Sequence, residues 1–194
     1  IIISLINPAT SNNANEVYRE KDSNIPIDPN AVFIFEGYKV FQVKDPSVSI
    51  NDLHNAEKAR LVVQGQSDIQ NGLSQIVNKS LDGDLNAYVP VEEVVGADKG
   101  LKHSFRVTTD LFATGDPGLI NHKTYYFMAV AYANDAVADI LDPFVTPGPG
   151  LYGLPYIQSR KSADGSAVKV YTAIPHIPDP EAQGLTLTSS FGDG

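Results

Sequence analysis

The chain has 194 residues, a formal net charge of -9 and a pI near 4.7, a balance that disfavours partners that are themselves anionic, such as nucleic acid or acidic lipid surfaces. Its Cys 0 removes any disulfide framework, thiolate nucleophile or cysteine metal site. A hydrophobic content of 42%, with Gly 15, Pro 13 and abundant β-branched and aromatic residues, excludes a disordered chain and points to an all-β fold around one main core.

Ile1 to Ile6 is an apolar, uncharged run that reads as a strand. It is too short to span a bilayer, no other segment reaches the ~20 apolar residues required, and it lacks the basic lead of a signal peptide. Left at an open edge it would be an aggregation hazard, so it has to pair within its own sandwich or complete a neighbour's sheet. Met128 is the only methionine, so the sequence reads as an excised fragment or a processed product. Asn7 to Asn15 reads as a loop, and Pro26 and Pro29 predict an extended edge segment over Ser23 to Asn30.

Ala31 to Val43, AVFIFEGYKVFQV, is a second strand with apolar residues on both faces. Simple alternation puts Tyr38 and Val40 on one face and Phe33, Phe35 and Phe41 on the other, with Gly37 allowing a bend. From Lys44 to about Lys102, Ser67 and Gln70 suggest a capping box, and Ile69, Leu73, Ile76 and Val77 form the stripe of a short helix. That helix is expected to cover Phe33, Phe35, Phe41, Tyr126 and Met128. Tyr88 to Val95 and Leu101 to Thr108 read as a hairpin around Ala97 to Gly100.

Leu119 to Tyr132, LINHKTYYFMAVAY, has β-formers on both faces, with Tyr125, Phe127, Ala129 and Ala131 on one and Tyr126, Met128, Val130 and Tyr132 on the other. This is the pattern of a central strand covered on both sides. Pro147-Gly148-Pro149-Gly150 is the strongest breaker and marks the expected end of the core. Leu154 to Arg160 and Ala167 to Ile174 flank Ala163-Asp164-Gly165 as a second hairpin, followed by Pro175, Pro178 and Pro180, and Leu185 to Ser189 is a last strand without a partner in hand.

The Leu119-to-Tyr125 spacing resembles the tyrosine corner of immunoglobulin-like and fibronectin type III sandwiches, in which the Tyr hydroxyl bonds nearby backbone. EGYKVFQV and LINHKTYYFMAVAY resemble strands C and F of a fibronectin type III domain, with Asn121-His122 replacing the usual Pro-Gly before the corner Tyr. The order of FEGYKVFQV, the insertion, LKHSFRVTTDLFATGD, NHKTYYFMAVAY and KVYTAIPHIPDPE is similar to modules of large secreted surface proteins of Bacteroidota, commonly exported by the type IX system. The resemblance implies an immunoglobulin-like/fibronectin type III-like sandwich over 1–147, with a long insertion at about 44–102 carrying a short helix and a hairpin. Residues 148–194 would add a Pro/Gly-rich connection, a β-hairpin and a tail packing on the sandwich or a neighbouring unit. It also implies a secreted or cell-surface location.

Candidate chemistry is sparse. Asp82, Asp84 and Asn86 put oxygens at alternate positions and Glu93 falls where an EF-hand would supply its last carboxylate, which makes them a calcium candidate. Against it, Ala87 replaces the required Gly and Pro90 disfavours an exiting helix. His54, His103, His122 and His176 lack metal-ligand spacing, and Gly148, Gly150 and Gly153 match GxGxxG amid prolines. Glu92 and Glu93 should point to opposite faces of a strand, which is a poor arrangement for a carboxylate dyad. Asn78-Lys79-Ser80 is a bare glycosylation sequon. The residues therefore suggest a non-catalytic spacer or interaction module without a cofactor. The alternatives are a filament subunit joined to identical subunits through a terminal strand, and a carbohydrate-binding module using Tyr18, Tyr152 and Tyr156. Neither nucleic acid nor membrane insertion is expected.

Overall fold

The computed structural model describes residues 1–26, 28–140, 154–162 and 164–176. Its strands, in chain order, are β1 (Ile2–Ser4), β2 (Arg19–Lys21), β3 (Val32–Val43), β4 (Ala59–Asp68), β5 (Gln75–Asp82), β6 (Ala87–Val95), β7 (Ser104–Arg106), β8 (Tyr125–Asn134), β9 (Tyr156–Gln158) and β10 (Tyr171–Ala173). A short helix α1 (Ala136–Ile140) follows β8. The fold is all-β, antiparallel and sandwich-like.

The main sheet is built on β3 and β8, which pair from Ile34↔Asn134 to Val43↔Tyr126. Short strands complete it: β2 and β4 line successive parts of β3, and β10 and β9 line the two ends of β8. The alternation expected of β8 holds. Tyr125, Phe127, Ala129 and Ala131 join one core cluster, and Tyr126, Met128 and Val130 join the opposite one.

Alternation along β3 does not hold, because a bulge interrupts it. Phe35 pairs with Ala133 and Gly37 with Tyr132, so Glu36 is an extra residue and every side chain after it changes face. Phe35 therefore shares its core cluster with Tyr38 and Val40, while Phe41 lies on the other side with Val43. Only glycine fits next to the bulge: a Cβ on Gly37 would lie 2.2 Å from the Ser67 carbonyl and 2.8 Å from the Tyr132 hydroxyl.

The face bearing Phe35, Tyr38, Val40, Tyr125 and Phe127 is covered by a second sheet made of β1 and β7. Ile3 pairs with Phe105, and the ladder is extended by the Val107 N–H donating to the Ile1 carbonyl (2.9 Å) and the Leu5 N–H donating to the His103 carbonyl (2.7 Å). Ile1, Ile3 and Leu5 pack inward. Ile2 and Ile6 remain exposed.

The insertion carries a short helix and a hairpin, each in a different place from the one read in the sequence. No helix forms over Ser67 to Val77. β4 runs to Asp68, Gly72 adopts a φ of +90°, and the Asp98 carboxylate fixes the turn by accepting the N–H groups of Asn71 (2.8 Å) and Gly72 (3.1 Å). The Ser67 hydroxyl donates to the Lys102 carbonyl instead of capping a helix. The short helix is a 3-10 turn at Ile50–Asp52, closed by a capping box between Ser49 and Asp52. The Phe41 and Met128 face is covered by Val48, Ile50, Leu53 and Ala59, with Val168 and Val170 alongside.

The hairpin pairs β6 with β5, while β7 pairs with β1 and not with β6. Alternation identifies a strand but not its partner, and the Asp82 turn proved the stronger hairpin signal. Ser23 to Asn30, residue 27 aside, forms tight turns rather than an extended edge. The Asn24 N–H donates to the Asp22 carboxylate (2.7 Å) and the Asn30 N–H to Asp28 (2.8 Å), and the edge itself is β2. The expected second hairpin closes only at its tip, through Lys161↔Ala167. Its arms then diverge, because both β9 and β10 find donors and acceptors on β8. Pro147 to Gly150, the boundary at 147/148, Pro178, Pro180 and Leu185 to Ser189 lie outside the described residues.

Candidate functional site

Tyr125 forms the corner its spacing suggested: its hydroxyl accepts the Ile120 N–H at 2.9 Å. A buried polar knot secures the preceding loop. Gln42 donates to Asp110 (2.7 Å) and accepts the Leu111 N–H (2.8 Å), while Lys123 reaches the other Asp110 oxygen at 2.8 Å. Burial alone would raise the Asp110 pKa, but the Lys123 and Gln42 hydrogen bonds outweigh it and hold the carboxyl below its usual value.

The calcium candidates are not brought together. Asp82, Asp84 and Asn86 sit at the turn between β5 and β6, where Asp82 pairs with Ala87, whereas Glu93 lies at the far end of β6, where Val94 pairs with Ile76. The Asp82 carboxylate already accepts the N–H groups of Asp84 (2.9 Å) and Leu85 (3.0 Å), which makes it a turn-forming residue. The histidines are equally dispersed. His54 lies 3.9 Å from a Glu93 oxygen, His103 contacts Glu16, the His122 N–H donates to the Pro175 carbonyl, and His176 is exposed.

Glu92 and Glu93 engage different partners, Gln75 and Asn78. The sequon residue Asn78 is buried, with its amide donating to Glu93 (3.0 Å) and its carbonyl accepting the Tyr156 N–H (3.1 Å), so it offers no free acceptor for a glycan. Gly148, Gly150, Gly153 and Tyr152 lie outside the described residues.

Two concavities stand out among the described residues. The larger, about 690 Å³, is a groove beside β2 and the ends of β8 and β9, with Tyr18, Phe33 and Phe35 among its apolar lining and Asn13, Asp22 and Arg160 among its polar lining. The Tyr18 hydroxyl donates to Glu20 at 2.8 Å, and burial together with that carboxylate raises its pKa. The smaller, about 260 Å³, lies between the main sheet and the β5–β6 hairpin and has Lys39 in its lining. Tyr156 belongs to this second site. It is buried at 7% exposure and is not an open platform for a sugar ring.

Lys39 and Glu36 are two buried charged residues that sequence reasoning passed over. Both interrupt FEGYKVFQV, and a charge within a run that is apolar on both faces was the available signal. Lys39 is 6% exposed and burial lowers its pKa to about 8, partly offset by the Glu93 charge. Glu36 is 5% exposed. Burial raises it to about 7, assisted by Asp68 and Asp98 and opposed by a hydrogen bond from Asn71. No protein-family model, curated protein or solved structure matches this chain.

Proposed function

We propose that the chain is a non-catalytic structural and interaction module of an extracellular or cell-surface protein, with neighbouring domains as its partners. The observation that carries this reading is the closure of β1 on β7 within one chain, which uses the most association-prone segment internally. The adjacency of β3 and β8 and the Tyr125 corner support a fibronectin type III-like module. The proposed location rests on the resemblance of the sequence motifs alone. A filament subunit joined by addition of the N-terminal strand would need β1 to leave its place on β7.

The groove favours carbohydrate binding as a second reading, because Tyr18 lines it together with amide and carboxylate groups. Light scattering across a wide concentration range, with and without the peptide IIISLI, tests the first reading. It predicts the mass of one chain and no uptake of peptide. Multiples of the chain mass, or peptide incorporation, would replace the module with the filament subunit.

A further inference from the structure

Lys39 projects from the middle of β3 into a largely buried position. Its amine donates to the Glu93 backbone carbonyl and to the Tyr156 hydroxyl at 3.3 Å. The Tyr156 and Tyr132 ring centroids lie 4.6 and 5.5 Å away. Among the described residues no carboxylate forms an ion pair with it. An ammonium has three donors and only two find acceptors, so the nearby Glu93 charge and the two rings offset the burial of the charge only in part. Burial therefore enlarges the share of free amine relative to an exposed lysine.

That amine borders the cavity of about 260 Å³. Phe41, Leu53 and Leu61 give the cavity apolar wall, while His54, Glu92 and Glu93 bring proton-transferring groups to its lining. A nucleophile, acid–base groups and room for a small molecule thus share one half-open pocket. The two carboxylates disfavour an anionic guest.

We infer that Lys39 captures small neutral aldehydes or ketones in this cavity as a reversible imine. The nitrogen lone pair forms a bond to the carbonyl carbon, and the carbonyl π pair moves to oxygen. Transfer of a proton from nitrogen to oxygen gives a carbinolamine. Loss of the hydroxyl with one proton as water, assisted by His54 or Glu93, forms the C=N bond. One amine and one carbonyl give one imine and one water, and no oxidant or reductant is needed.

Burial favours the reactive form. With the Lys39 pKa near 8, on the order of a quarter of the amine is neutral at pH 7.5, against roughly a thousandth for an ordinary lysine. The groups facing it are Glu92 and Glu93 on β6, His54 beside the 3-10 turn, Tyr132 on β8 and Tyr156 on β9.

The test uses the intact chain with benzaldehyde as probe and cyanoborohydride to fix the imine, followed by peptide mapping. Lys39 should label at least about tenfold faster than the average of the other lysines, because its larger neutral fraction outweighs its lower basicity. The rate should saturate with benzaldehyde and rise with pH around a midpoint near 8. Lys39→Met, with folding checked by circular dichroism, should remove the fast site and leave the slow ones. Labelling of Lys39 no faster than that of the other lysines, or a rate midpoint in the ordinary lysine range near 10.4, overturns the inference.

Discussion

At Tyr125 one hydroxyl ties the loop before β8 to the strand itself. Tyr125→Phe leaves the Ile120 N–H without that acceptor and should cost about 1 kcal/mol, read as a lower denaturation midpoint with an unchanged slope. Lys39 makes the opposite kind of contribution. Its folded pKa of about 8 lies below the unfolded value near 10.4, so the unfolded chain holds the proton more tightly and stability rises with pH between those values. The penalty is full below about pH 8, on the order of 3 kcal/mol. Lys39→Met should therefore gain most over the parent at pH 7 and lose that advantage by pH 10, in denaturation curves taken across the range. Glu36 runs the other way: raised to about 7 in the fold, it contributes stability below about pH 4.3 that disappears as pH climbs through 7. The Tyr125 corner was legible because its signal is a spacing between two residues. The state of Lys39 was not, since it depends on β6 and β9, which are remote in sequence.

Among the elements, β8 was readable throughout because nothing interrupts its alternation. β3 was readable only as far as Glu36, where the bulge reverses the faces. Gly37 marked the place but not the count. Gly37→Ala drives a methyl into the Ser67 carbonyl, a backbone atom, and should cost about 1–3 kcal/mol or more, measurable as a fall in melting temperature. The insertion misled for another reason. The spacing of Ile69, Leu73 and Ile76 matches a helical stripe, yet the turn bonds from Asp98 and the positive φ of Gly72 end any helix before it closes. Asp82 likewise commits its Oδ1 to the hairpin turn. Melting curves in calcium and in chelator should coincide, and a calcium-dependent rise would return Asp82, Asp84 and Asn86 to the role of ligands.

For the whole molecule, the all-β class followed from composition and from two strongly patterned strands, while the pairing of the short strands did not. β1, β2, β7, β9 and β10 have three residues each, too few to advertise a partner. Tertiary packing on β3 and β8 decides their places. The closed module requires β1 to be held by its own chain, and amide hydrogen exchange at several protein concentrations reports on that contact. The Leu5 and Val107 amides, which donate across the β1–β7 ladder, should be protected to the same degree at every concentration. Protection that vanishes on dilution would mean that the strand belongs to a neighbouring copy, and would contradict the closed module.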